Sequence, residues 1–266
     1  MQTFQSINLE ESNNNYIVES LYSSQEDYSL HPYTNYMTSV QDNAITEKMR
    51  KILFNWLISV HEVWKLKQET LYLTFNIIDR YLSNNKAEKE HLQCIGVSAL
   101  LVACKYEEIY FPDITDFVEI TAHSFNKNDI LYMEYLILTS LNFNITISSP
   151  LKFLEYYISF LELDLNRQYC AQYLLELAVF SYPMLKYKPS CLASAVMLIV
   201  VYTDLTKRDL LLSKCRHTFE DLVIVVNELN SIYQSEENGS IALKNKFRKE
   251  AYNGVGVFNI ISSLLG

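Results

Sequence analysis

Glycine and proline are scarce, with five of each in 266 residues. A fold of many hairpins needs both at its turns, so their shortage argues against short-stranded architectures and favours long helices with brief connections. Basic charge is in deficit too: 22 Lys and Arg against 31 Asp and Glu leave a net charge of −9. That balance argues against nucleic acid as the main partner. The one local basic run, Lys244, Lys246, Arg248 and Lys249, is expected to form a solvated helix face. No uncharged apolar stretch reaches ~18 residues and no basic-then-apolar leader opens the chain, so a soluble protein of nucleus or cytoplasm, outside the membrane, is expected. The five cysteines (Cys94, Cys104, Cys170, Cys191, Cys215) are odd in number, lack C-x-x-C spacing and fall mostly in apolar runs. There a reduced thiol packs as a small hydrophobe, as a reducing compartment allows.

Catalytic constellations are equally sparse. No glycine-rich phosphate loop occurs, no serine stands in a glycine-flanked elbow, and His31, His61, His91, His123 and His217 are scattered without His-x3-His spacing. Glu107 and Glu108 are adjacent, and neighbours on a helix diverge by about 100°, so the two could not face one reacting atom. No catalytic residue, metal site or cofactor is expected. The chain has the character of a binding protein.

What is present is helical periodicity. Residues 1–46 are polar and Asn/Ser-rich, a tether with one apolar island (Tyr16, Ile17, Val18, Leu21, Tyr22) spaced as a short docking helix. Thr46 then opens an apolar row through Met49, Ile52, Leu53, Trp56, Leu57, Val60 and Trp64. Further helices are predicted over Glu69–Asn85, Glu88–Glu108, Pro112–Ala122 and Asn128–Leu141. After Ser149-Pro150 come a second five: Pro150–Leu161, Asn166–Leu185, Pro189–Thr203, Lys207–Cys215 and Thr218–Gln234. The third member of each set is apolar nearly all round, as a helix wrapped by its neighbours should be. Gly96-Val97-Ser98-Ala99 through Lys105-Tyr106 aligns without gaps to Leu192-Ala193-Ser194-Ala195 through Val201-Tyr202. An all-α tandem five-helix repeat behind an N-terminal helix is predicted: a tether at 1–46, units at 47–146 and 147–236, and a C-terminal helix and tail at 237–266.

Two charges interrupt apolar rows of the first unit, Lys105 on its third helix and Glu134 on its fifth. Each could snorkel to water on its own stem. Opposite signs on helices that should pack together point instead to a donor and an acceptor set beside apolar surface, suited to the end of a partner helix. Arg50 and Asp79 form a second such pair, expected to be a structural ion pair. Met49, Ile52, Leu53 and Trp56 lie on more than one helix face, covered by two neighbouring helices or forming an exposed groove for a short peptide.

These residues also carry a family resemblance. Met49-Arg50-Lys51-Ile52-Leu53-Phe54-Asn55-Trp56-Leu57, Ile78-Asp79-Arg80-Tyr81-Leu82, Cys104-Lys105-Tyr106-Glu107-Glu108-Ile109-Tyr110 with Pro112, and Ser149-Pro150-Leu151-Lys152-Phe153-Leu154 resemble the motifs of cyclins. In the second unit and tail, Pro189-Ser190, Lys246-Phe247-Arg248 and Tyr252-Asn253-Gly254-Val255 are similar to the mitotic A and B types, and Tyr106 leans toward B. The resemblance implies a regulatory subunit, itself no enzyme, that binds and allosterically activates a cyclin-dependent kinase and helps recruit its substrates. It implies kinase contacts at Lys105, Tyr106, Glu108, Ile109, Glu134, Leu138, Phe143 and Ile145, and a docking patch for substrate or inhibitor peptides at Met49, Ile52, Leu53, Trp56, Leu92 and Gln93. Arg50 and Asp79 match the family's internal ion pair.

The chain departs from the family at Asn55 (usually Asp), Cys94 (usually Leu), and Ser59 and Ala122, where acids are expected to meet a peptide's arginine. Glu62 is the candidate substitute. No arginine precedes Arg50, so an R-x-x-L destruction box is not expected; either the N-terminus is trimmed or turnover uses another signal. A transcription-factor role for the same paired fold is the alternative, disfavoured by the acidic charge and the lack of a C-x-x-C zinc ribbon.

Overall fold

The structure, a computed structural model, describes residues 16–235 and 240–254. Among them no strand occurs. A first helix, α1, is described over 16–24, followed by the short α2 (Tyr36–Ser39). One set of five comprises α3 (Glu47–Trp64), α4 (Gln68–Asn84), α5 (Leu92–Glu107), α6 (Ile114–Glu119) and α7 (Lys127–Ser140). The second comprises α8 (Pro150–Leu161), α9 (Leu165–Phe180), α10 (Pro189–Val201), α11 (Leu205–Lys214) and α12 (Phe219–Gln234), and α13 (Ile241–Phe247) closes the described chain.

Local chemistry sets the boundaries. Thr46, Ser149, Asp164, Asp204 and Thr218 each accept a hydrogen bond from a first-turn backbone N–H of the helix that follows. Pro150 occupies the first turn of α8, where its missing N–H costs nothing. Pro112 was predicted to open its helix the same way. It lies before the cap instead, because Asp113 and Asp116 form a reciprocal capping box and start α6 at Ile114. The predicted helix Asn166–Leu185 is also interrupted. Ser181 is extended, Pro183 cannot continue the hydrogen-bond ladder, and Tyr182–Lys186 folds as a separate 3-10 turn.

The apolar third helices are the two hubs. From Cys94 to Cys104 every residue of α5 is buried, and so is all of α10. Around α5 pack α3, α4 and α7, and around α10 pack α8, α9, α11 and α12. Gly96 permits the closest approach, since a Cβ there would fall 2.7 Å from Leu53 Cδ1. The repeated serines are tied down: Ser98 donates to the Ile130 carbonyl (3.1 Å), Ser194 to that of Ser190 (2.8 Å). Cys94, Cys104, Cys170 and Cys191 are buried and form no disulfide, and burial pushes Cys104 and Cys170 up to about 12.

Three devices join distant parts of the chain. The guanidinium of Arg50 meets Asp79 through two 2.7 Å hydrogen bonds and lies over the Phe54 ring. It also donates to the carbonyls of Phe180 (2.5 Å) and Val179 (3.4 Å). Those carbonyls belong to the last turn of α9, where a helix lacks internal partners and favours a cation. Burial opposes the charge of Arg50; Asp79 more than offsets it and holds the group above its ordinary pKa.

The second device is α1, which docks on the second set. Its Tyr22 hydroxyl meets that of Tyr157 (3.2 Å), its ring packs edge-on to Phe153, and Ser148 donates to the Leu21 carbonyl.

The third is α13, which packs on both α3 and α9. Here the expectation of a solvated basic face is corrected. Lys246 is 1% exposed and paired with the buried Glu176 at 2.7 Å, because α13 turns this lysine into the crevice between the sets. The remaining tail, from Val255, lies outside the described residues.

Candidate functional site

One face of the first set gathers the residues expected to meet a kinase. Lys105, in the last turn of α5, reaches across to Glu134 on α7, with Nζ 2.7 and 2.9 Å from the two carboxylate oxygens. Neither side chain snorkels alone. Glu134 is the more enclosed (12% exposed against 42%), so the lysine presents the accessible charge. Tyr106 hydrogen-bonds Thr146 at 2.5 Å and stays nearly half exposed. Ile109 lies in the loop after α5 and is largely exposed.

Phe143 is exposed in the left-handed region, its N–H bonded to the Leu138 carbonyl (2.8 Å). Leu138 and Ile145 are half-buried against the core. Glu108 turns inward: one carboxylate oxygen accepts from the Lys67 N–H (2.7 Å) and the Thr70 hydroxyl (2.5 Å). Lys67 gives α4 no side-chain cap, so Glu108 caps that helix from another part of the chain.

Residues that sequence reasoning passed over share this part of the molecule. Tyr110 and Phe111 follow Ile109 and are exposed, as are Tyr132 and Tyr135 on α7. A helix apolar on most sides is usually wrapped by its neighbours, yet only Ile130 and Ile137 of α7 are buried. That mismatch between apolar content and burial was the available signal, and it marks unpartnered apolar surface.

The docking-patch residues lie where α3 meets α5. Leu53 and Leu92 are buried, Met49, Trp56 and Gln93 are half-buried, and Ile52 is 62% exposed. Around them the departures from the family acquire a physical setting. Asn55 Oδ1 accepts from the Ser240 hydroxyl (2.6 Å) and the Ala242 N–H (3.1 Å), while its Nδ2 donates to the Lys51 carbonyl (2.9 Å). An aspartate could supply the first two contacts but would set an oxygen against that carbonyl. Ser59 bonds back to Asn55 O, and Ala122 sits exposed in the left-handed region. Glu62 is occupied: Lys249 lies 2.7 Å from one oxygen and Lys246 3.9 Å from the other.

Two five-helix units around apolar hubs, closed by an N-terminal helix and carrying these motifs, define the class, and the chain belongs to the cyclin family. Residues 16–146 match the model of the cyclin N-terminal domain and 148–259 that of the cyclin C-terminal domain. Its relatives include B-type cyclins. Cyclin-B2-1 of Oryza sativa subsp. japonica is 44% identical over 163 residues, covering 61% of this chain and 38% of that protein. G2/mitotic-specific cyclin-B2 of Oryzias javanicus is 42% identical over 181 residues, covering 68% and 46%. The chain thus spans less than half the length of these relatives.

Among solved structures, a viral cyclin from herpesvirus saimiri superposes with a TM-score of 0.62 at 19% identity, covering 93% of this chain and 97% of that one. A chain of the CAK complex from Chaetomium thermophilum gives 0.58 at 15%, covering 93% and 88%. Both likenesses concern the fold. Among the described residues no helix is long and apolar enough to cross a membrane.

Proposed function

We propose that this protein is a B-type cyclin that binds and activates a cyclin-dependent protein kinase in cell-cycle control, with Lys105 and Glu134 as the polar centre of the contact. The observation that carries the reading is their 2.7 Å pairing amid the exposed apolar side chains of Tyr106, Ile109, Tyr135 and Phe143. A helix end offers unpaired N–H and C=O groups, and a lysine beside a glutamate can satisfy both while the aromatic rim excludes water. Activation follows if the cyclin binds the kinase's active arrangement better than its inactive one, since only differential affinity shifts that equilibrium. The patch at Met49, Ile52, Leu53, Trp56, Leu92 and Gln93 serves in this reading as a weak docking site for peptides of substrates or inhibitors.

Lys105→Ala or Glu134→Ala should weaken kinase binding by ~2–5 kcal/mol, as truncation of a desolvated charged anchor does. The double variant should lose less than the sum, because the two side chains already act as a pair. Calorimetric titration against a purified cyclin-dependent kinase measures both, with circular dichroism as the control for folding. Should Lys105→Ala unfold the protein yet spare binding in the folded fraction, the residue is structural and the assignment fails.

A further inference from the structure

Two arginines on this fold are buried, and they are treated very differently. Arg50 has a carboxylate, two carbonyls and an aromatic ring. Arg80, one residue after Asp79 on α4, is 2% exposed and has no carboxylate within ion-pair distance among the described residues. Asp79 is already committed to Arg50 and to the Tyr36 hydroxyl. Arg80 donates one good hydrogen bond, Nη2 to the Asn144 carbonyl (2.9 Å), and one long one, Nη1 to Asn76 (3.4 Å), while its Nε has no partner. A guanidinium carries five N–H donors and is costly to bury without an opposing charge.

Arg80 lines a cavity of about 210 Å³ between residues 28–33 of the N-terminal segment and the ends of α4 and α7. The wall is otherwise neutral and rich in donors, with Tyr28, Ser29, His31, Asn84, Asn142 and Asn144, and no carboxylate lines it. On a chain with net charge −9, such a pocket is unusual.

We propose that this cavity binds a phosphate group, with Arg80 as its charged anchor and the Ser29 hydroxyl and the Asn142 and Asn144 amides as neutral donors. Guanidinium meets phosphate oxygens through parallel N–H bonds, so the free Nε and a neighbouring nitrogen suit it. Burial holds Arg80 down at about 10, and the charge of Asp27, which is not within ion-pair distance, offsets that only in part. At about 210 Å³ the cavity is far roomier than one water needs, so a phosphate with an ester-linked carbon also fits. The group can arrive as inorganic phosphate or on a phosphorylated serine of a peptide. The proposal is independent of kinase binding.

Calorimetric titration of the full chain at constant ionic strength tests it, with three probes: inorganic phosphate, an acetylated Ala-phosphoserine-Ala amide and acetate. Phosphate should bind wild type, and Arg80→Gln should weaken it by about tenfold or more. Ser29→Asp places a carboxylate at the cavity mouth; it should raise the melting temperature and abolish phosphate binding. A phosphopeptide about tenfold tighter than inorganic phosphate identifies a modified side chain as the source, and equal affinities identify the free ion. The proposal is overturned if wild type binds no phosphate up to about 10 mM, or if acetate binds as tightly. Unchanged phosphate binding in Ser29→Asp likewise overturns it, and that variant decides the matter should Arg80→Gln fail to fold.

Discussion

Replacing Arg50 with alanine tests whether the ion pair at the centre of the molecule is structural. Arg50 is fully buried and the side chain of Asp79 is 2% exposed. Removing the guanidinium leaves a carboxylate in the core with, among the described residues, only the Tyr36 hydroxyl (3.0 Å) as a donor. It also strips the Val179 and Phe180 carbonyls at the end of α9 of their cation. Breaking a buried pair costs ~3–5 kcal/mol, and one kcal/mol moves the melting temperature of a chain this size by ~2–4 °C. A fall of about 10 °C is expected. The informative comparison is Arg50→Met with Asp79→Leu, which removes both charges and keeps the volume. It should recover most of the loss and remain about 1 kcal/mol below wild type, because α9 still lacks its cap. Urea unfolding followed by far-ultraviolet circular dichroism gives the three free energies. A double variant as unstable as Arg50→Ala would refute the reasoning, since the cost would then not reside in an orphaned carboxylate.

The docking patch should bind a short peptide's leucine through its apolar floor, a contact worth ~1.5–3 kcal/mol, and Trp56→Ala should abolish it. Changing that peptide's arginine to alanine should alter affinity little, because Ser59 and Ala122 carry no charge and Glu62 is held by Lys249. Lys249→Ala should free Glu62 and give the arginine up to about 1 kcal/mol, measurable by fluorescence anisotropy; no gain would show Glu62 out of reach. His61 is buried, and burial together with nearby Lys246 brings its pKa to about 4 from 6.5. Above about pH 6.5 both states are neutral and stability is complete. As pH falls toward 4 the unfolded chain takes up the proton first, so up to ~3 kcal/mol is lost. His61→Gln should flatten that part of the stability profile, and an unchanged slope would assign the loss to other groups.

The fold was legible wherever the signal was local. The Ser149-Pro150 break marked α8 to the residue, and the all-apolar composition of Cys94–Cys104 and Cys191–Val201 identified both hubs. The break at Ser181 was missed because apolar residues continue through Leu185 at helical spacing, while the deciding fact is the single ring of Pro183. Arg50 and Asp79 were paired from sequence because each interrupts an apolar row. Lys246 was misjudged because its partner Glu176 lies 70 residues away and nothing in the neighbouring sequence announces it. The inward turn of Glu108 and the unmatched state of Arg80 were invisible for the same reason: both depend on which groups a third segment brings near.

The docking of α1 on the second set has a consequence for how the chain is made. Tyr22 emerges from the ribosome early, and its hydroxyl partner Tyr157 follows 135 residues later; Gln25 waits 165 residues for the Ser190 N–H. The first five helices can therefore collapse during synthesis around α5, but the N-terminal strap stays unseated until α8 and α10 exist. At ~5–20 residues per second that interval is about seven to thirty seconds. Throughout it Val18 and Tyr22 are unprotected apolar surface, so this helix waits for most of both units to be made before it can seat.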